Sequence, residues 1–274
     1  MEKPIKRSRL RLALGNAVYG SAKRLWWLKN AEQLAVYRKD EPLEFECFRH
    51  KTPLLRQLKD VDMHLQHNKV RNLELATERL HGIVIQPGEI FSYWYLIGNP
   101  TRKRGYLSGM VLQNGKVTSG VGGGLCQLSN MIFWMALHSP LTVIERHRHG
   151  YDVFPDSNRT QPFGSGATCF YPHGDLMIRN DTEDTFQLFV MVGEEHLYGE
   201  LRCDAPLSYR YEIEERNHRI QSEYWGGYTR ENELYQKIFT LDGTPAGARL
   251  VVKNSAIMMY EPFLTEGQSR EWRI

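Results

Sequence analysis

The sequence predicts an α+β protein in which a mixed or antiparallel sheet packs around a buried central helix, followed by a β-rich C-terminal extension. Three observations point there. Residues 125–138 are apolar nearly all round the later turns of a helix, through Leu128, Met131, Ile132, Phe133, Trp134, Met135 and Leu137, which marks a helix inside a core. Short apolar runs then succeed one another with few helical periods between them, which favours neighbouring strands over a βαβ layout. Beyond Cys203, alternating segments at 208–213, 234–239 and 249–252 are separated by Trp225-Gly226-Gly227 and Asp242-Gly243, the pattern of a β meander.

The elements divide into a basic N-terminal region (1–60), a core (61–204) and the extension (205–274). In the first, Leu10, Leu14, Ala17, Ser21, Leu25 and Leu28 recur at helical spacing within residues 9–29. Lys3, Lys6, Arg7, Arg9, Arg11, Lys23, Arg24 and Lys29 stand against Glu2 alone. The segment reads as a basic helix that either packs on the domain or lies on an anionic membrane surface. Asn16, Gly15 and Tyr19 dilute it too much for a signal peptide.

In the core, 69–81 is a helix stopped by Gly82, and 83–85 is a short strand. A turn at Gln86-Pro87-Gly88-Glu89 follows, then a strand over 90–96. After the central helix, Ser139-Pro140 forces a break. Strands are expected at 142–147, 167–171, 176–179 and 186–192. Residues 117–144 carry no charge, but four glycines, Gln127 and Pro140 make them the middle of a core rather than a membrane span.

Composition narrows the function classes. The chain has 274 residues, 41% hydrophobic and 24% charged, which suits a globular protein and not a disordered one. A net charge of +3 argues against a nucleic-acid footprint. Four cysteines, Cys47, Cys126, Cys169 and Cys203, form no CxxC pair and suggest a reducing, cytoplasmic setting. No cofactor is indicated. His147, His149, Cys169 and His173 match no standard metal-ligand spacing.

The conspicuous segment is Gly122-Gly123-Gly124-Leu125-Cys126-Gln127. Glycines permit close approach of a ligand or a neighbouring chain. Cys126 in the first helical turn would gain from the unpaired amides and the helix dipole, which favour a thiolate. The helix runs about 18 Å from Cys126 to His138, and an extended chain returns about 23 Å from Thr142 to His149. That brings His147 or His149 level with Cys126. Against this, a cysteine in a buried helix more often behaves as a small apolar group.

The series Asn72…Leu80-His81-Gly82, Pro87-Gly88-Glu89-Ile90-Phe91-Ser92, Arg104-Gly105-Tyr106, Gly122–Ser129 and Glu145–His149, with Asp175-Leu176 and Asn180, resembles the VanW family over roughly residues 64–204. The resemblance implies an association with glycopeptide (vancomycin) resistance and the bacterial cell envelope, and no settled activity. Cys126, Gln127 and His149 match its motif. Where the family reads Gly-x-Asp-Ala-Thr, this chain has Gly164-Ser165-Gly166-Ala167-Thr168, so a carboxylate is missing at 166.

Three readings follow. One is a cysteine hydrolase or acyl-transfer enzyme acting on a peptide or peptidoglycan precursor. Cys126 would be its nucleophile, His149 its base and Asp175 the orienting carboxylate. Another is a binding module for a cell-wall peptide or glycopeptide, built from Gly122, Gly123, Gly124, Gln127, Ser129 and His147, with Glu89 or Arg104 at its wall. The third is a structural accessory docked through its basic N-terminus on a membrane or partner.

Overall fold

The computed structural model describes residues 8–55, 62–113, 115–153 and 161–262. The fold is α+β, with four α-helices among the described residues and mostly antiparallel sheets. Helix α1 (Arg9–Lys29) starts where the Ser8 hydroxyl accepts the Arg11 amide. Strand β1 (Phe45–Pro53) follows, in a stretch that shows little periodicity because its register shifts between Glu46 and Phe48. Helix α2 (Met63–Leu80) begins earlier than the apolar pattern, since Asp62 accepts the His64 amide and starts it. Gly82 ends it at φ +77°, with the Lys39 carbonyl where a side chain would go.

Strands β2 (Ile83–Ile85) and β3 (Ile90–Ser92) come next. The strand expected through Leu96 stops at Ser92 and turns into helix α3 (Tyr93–Ile97), because the Asp175 carboxylate accepts the Trp94 amide at 2.9 Å. Residues 117–121, expected with the rest of 117–144 in the middle of the core, depart further. Strands β4 (Ser108–Gln113) and β5 (Lys116–Val121) form a hairpin, and β5 is largely exposed rather than part of the core.

Helix α4 (Cys126–Leu137) leads to β6 (Thr142–Glu145), and the expected continuation to His147 is reduced to a single bridge with Thr168. The strand predicted at 167–171 does not form. Phe170 and Gly174 exchange backbone hydrogen bonds of 2.9 Å and close a reverse turn. The remaining strands are β7 (Tyr151–Asp152), β8 (Met177–Arg179), β9 (Phe186–Val192), β10 (His196–Cys203), β11 (Tyr209–Ser222), β12 (Tyr228–Thr240) and β13 (Pro245–Met258).

One sheet has the order β1-β10-β9-β2 and another β3-β8-β6, both antiparallel. The C-terminal strands make β11-β12-β13, with β7 added in parallel at the far edge. Helix α4 packs on β1, β10 and β6, and buries eight of its twelve residues. Its contact with β10 is close: a side chain at Gly199 would come within 2.7 Å of the Met131 sulfur. The last carbonyls of α4, which a helix leaves without partners, are met from the extension. Gln236 Nε2 donates to Leu137 and Ser139 carbonyls at 2.7 and 2.9 Å. Trp27 at the end of α1 packs in the same core as Leu128 and Met131, so α1 is seated on the domain by one face. No described helix is long and apolar enough to cross a membrane.

Candidate functional site

The glycine run connects β5 to α4, and its neighbours leave it little room. Gly122 and Gly124 have φ of +75° and +92°, in the left-handed region that favours glycine. A side chain on Gly123 would run into the Gly109 backbone, and one on Gly124 into the Lys69 stem. Asn72 of α2 fastens the run by donating to the Gly123 and Leu107 carbonyls at 2.9 and 3.0 Å and accepting the Leu107 amide at 2.8 Å. Gly122 and Gly123 amides donate to the Leu107 and Gly120 carbonyls. Here the glycines let three chain segments touch.

Cys126 follows, and its thiol faces a carbonyl, that of Cys169, at 3.7 Å. Burial pushes the thiol up, and the backbone N–H dipoles of Cys169 and of Cys126 itself oppose it without prevailing. The expected activation by helix position is therefore outweighed by desolvation. Cys169 is pushed well up as well, first by burial and then by Cys126 beside it.

The fold brings the chain at His147 close to this point, since Thr168 donates its amide to the His147 carbonyl. The His147 ring is engaged elsewhere: its Nε2 donates to Glu145 Oε1 at 3.0 Å and its edge meets Phe170. His149 is half-buried, and its imidazole is pushed down by burial and by neighbouring Arg148.

The other sequence candidates are held by local structure. Gln127 Nε2 donates to Thr52 Oγ1 and the Pro53 carbonyl, both at 2.9 Å, tying α4 to β1. Ser129 donates to the Ala167 carbonyl at 2.7 Å. Glu89 accepts the Gln86 amide and closes its own turn, while Arg104 donates to the Ile97 and Asn99 carbonyls behind α3. At Gly166, where the carboxylate is missing, a Cβ would lie 2.6 Å from Asn130 Oδ1. That oxygen accepts the Ala167 amide at 2.7 Å, so Asn130 of α4 occupies the place.

Asp175 is fully buried, and its partners among the described residues include no imidazole. It accepts from Ser92 Oγ at 2.5 Å and from the Trp94 and Leu176 amides at 2.9 Å, and Lys23 Nζ lies 3.4 Å away. Burial pushes its carboxyl up, with Lys23, Ser92 and the Trp94 amide opposing.

Lys23 opens onto a second region that the sequence does not single out. A groove of about 700 Å³ lies between α1 and the strand β6, walled by Leu12, Tyr19, Trp26, Ile144 and Met177. Its polar groups are Arg11, Asn16, Lys23, Glu145, His147 and His173. Lys23, itself buried, donates to Glu145 Oε2 at 2.6 Å and reaches the Met177 sulfur at 2.9 Å. Burial works against the Glu145 charge, yet hydrogen bonds from His147, Lys23 and the Asp175 amide bring its carboxyl down to about 2. An ionised Glu145 accepts only, so Nε2 of His147 is the donor of their hydrogen bond. His173 Nδ1 is buried without a hydrogen-bond partner among the described residues. Trp27 Nε1 donates to Ser92 Oγ at 3.1 Å, so the network runs from α1 through Ser92, Asp175, Lys23 and Glu145 to His147. None of Cys126, Glu89 or Arg104 lines this groove.

The α+β core, with its glycine turn locked by α2, lies within a segment that this chain shares with known proteins. The chain belongs to the VanW-like family, whose model, described as VanW like protein, matches residues 68–202. Vancomycin B-type resistance protein VanW of Enterococcus faecalis is 36% identical over 199 residues, 73% of this chain and 72% of that one. Uncharacterized protein YoaR of Bacillus subtilis is 34% identical over 115 residues, 41% of this chain and 36% of that one. No solved structure matches.

Proposed function

We propose that the chain serves glycopeptide resistance at the bacterial envelope as a binding module, holding a cell-wall peptide or glycopeptide in the groove between α1 and β6. The groove itself carries the reading. Its volume suits a small ligand, its walls are aromatic and aliphatic, and an oriented imidazole and a guanidinium stand among them. The similarity to a vancomycin-resistance protein supports the choice of ligand class. Acyl transfer through Cys126 is less favoured, because its thiol is desolvated and faces a carbonyl.

Calorimetric titration of the full chain with a soluble cell-wall pentapeptide and with a glycopeptide tests the reading. Saturable binding of one of them is expected, weakened at least about tenfold in Tyr19→Ala, since removing one aromatic anchor commonly costs more than 1.4 kcal/mol. Tyr19 is 63% exposed, so its loss leaves the fold intact. Heat-free titrations with both ligands would overturn the proposal.

A second reading rests on the Glu145–His147 pair, whose 3.0 Å hydrogen bond resembles the orienting contact of a general base. It is a hydrolase of the same peptide class, and detectable peptide cleavage lost in His147→Ala would select it over plain binding.

A further inference from the structure

We propose that the outer face of α1 docks on an anionic lipid bilayer, whatever the groove binds. The helix has a buried side and, opposite it, an exposed apolar one. On the inner side Gly20, Lys23 and Trp27 are buried against the core. On the outer side Leu10, Leu14, Val18, Leu25 and Leu28 are 71, 59, 64, 53 and 76% exposed. At 3.6 residues per turn these five fall on one stripe along a helix about 32 Å long. Isolated exposed leucines need no explanation, but a stripe of five aliphatic side chains, interrupted by exposed Ser21 and rimmed by charge, marks an interaction surface.

Charge selects the occupant. Arg11 and Lys29 lie along one margin of the stripe and Arg24 along the other, all exposed. Residues 9–29 contain no Asp or Glu. Aliphatic side chains on the centre line with cations at the margins fit an interfacial helix, whose apolar face sinks into the acyl boundary while its bases meet anionic headgroups. Two copies meeting through this face would bring their cationic margins together without a counter-charge. The inner side is already anchored: Lys23 is paired with Glu145 and Asp175, and Trp27 with Ser92. The helix would thus meet lipid as part of the folded domain, with its axis along the surface.

Co-sedimentation of the full chain with vesicles tests this, using phosphatidylcholine alone and phosphatidylcholine mixed with phosphatidylglycerol. The double variant Leu14→Glu with Leu25→Glu is run beside the wild type, and its unchanged melting temperature verifies folding. Wild-type protein is expected to partition onto the anionic vesicles at least about tenfold more than onto neutral ones, consistent with several bases near the surface. The double variant should lose that partition. Salt at about 1 M, where the screening length falls to about 3 Å, should remove most of it. Equal partition onto neutral vesicles, no partition onto either, or indifference to the double substitution overturns the proposal. So does a wild-type dimer that the same variant splits, because the stripe would then be covered by a second copy.

Discussion

Two clusters of reactive side chains sit near one another in this domain and are treated in opposite ways. Around Cys126 the chain leaves the thiols only partly exposed, and burial pushes Cys126 and Cys169 up, so both favour the neutral form among backbone carbonyls and Ser129. Around Lys23 it keeps charges, but gives each one partners: Glu145 holds Lys23 and His147, and Asp175 holds Ser92 and two amides. The same fold tolerates neutral sulfur without partners of opposite charge and tolerates ionised groups only when they are saturated with hydrogen bonds. Chemistry that needs a standing charge is therefore more at home beside the groove than at the glycine turn.

The strongest way to break this contrast is to remove the cation. Lys23→Met leaves Asp175 buried and Glu145 half-shielded without their counter-ion, and should cost roughly 3–5 kcal/mol in chemical denaturation. The acid limb gives the same test a second readout. Glu145 is depressed from its ordinary 4.5 to about 2 in the folded protein, so its contribution is present above about 4.5 and is lost as pH falls toward 2. The variant should lack much of that slope. A Lys23→Met protein as stable as the wild type, with the same acid profile, would mean the network is not held by charge.

A smaller effect is expected at the turn. Gly123→Ala forces a methyl group into the Gly109 backbone and should destabilise by about 1–3 kcal/mol. Ligand affinity per folded molecule should not change. Lower affinity at unchanged stability would return the glycine run to the role of a ligand cradle.

The smallest effect concerns Cys126. Alkylation of the native protein should be slow and should rise only above the usual thiol range near 8.5, because burial raises this thiol. Cys126 should become reactive on denaturation, and His149→Ala should leave the native profile where it was. A plateau below neutrality that moves upward in His149→Ala would show a thiolate–imidazolium pair and reverse the contrast between the two clusters.

What the sequence reveals of this molecule follows the reach of its signals. The helices α2 and α4, and the strands β2, β8 and β9, announce themselves through local periodicity and short apolar runs. Strand β1 does not, since its register shift at Cys47 and its charged Glu46, Arg49 and Lys51 break the alternation. The end of β3 is set by Asp175, which lies 83 positions beyond Ser92. The groove is less legible still: Lys23 and Glu145 are 122 residues apart, and in the sequence Lys23 is one more base in a basic helix. The glycine run errs the other way. Its composition suits an anion cradle and a tight junction equally, and only the neighbouring Gly109 and Lys69 decide between them.

Strand β1 lies outside the segment, 68–202, that defines the family, yet it hydrogen-bonds along the whole of β10. Its removal would strip β10 of a partner and bare a long row of N–H and C=O groups, the kind of unpaired border through which proteins stick to one another. The upstream region also carries Trp27 and Lys23 into the core. The family segment is therefore not a self-sufficient unit here. Its edge protection and its internal charge balance depend on a stretch of chain that precedes it.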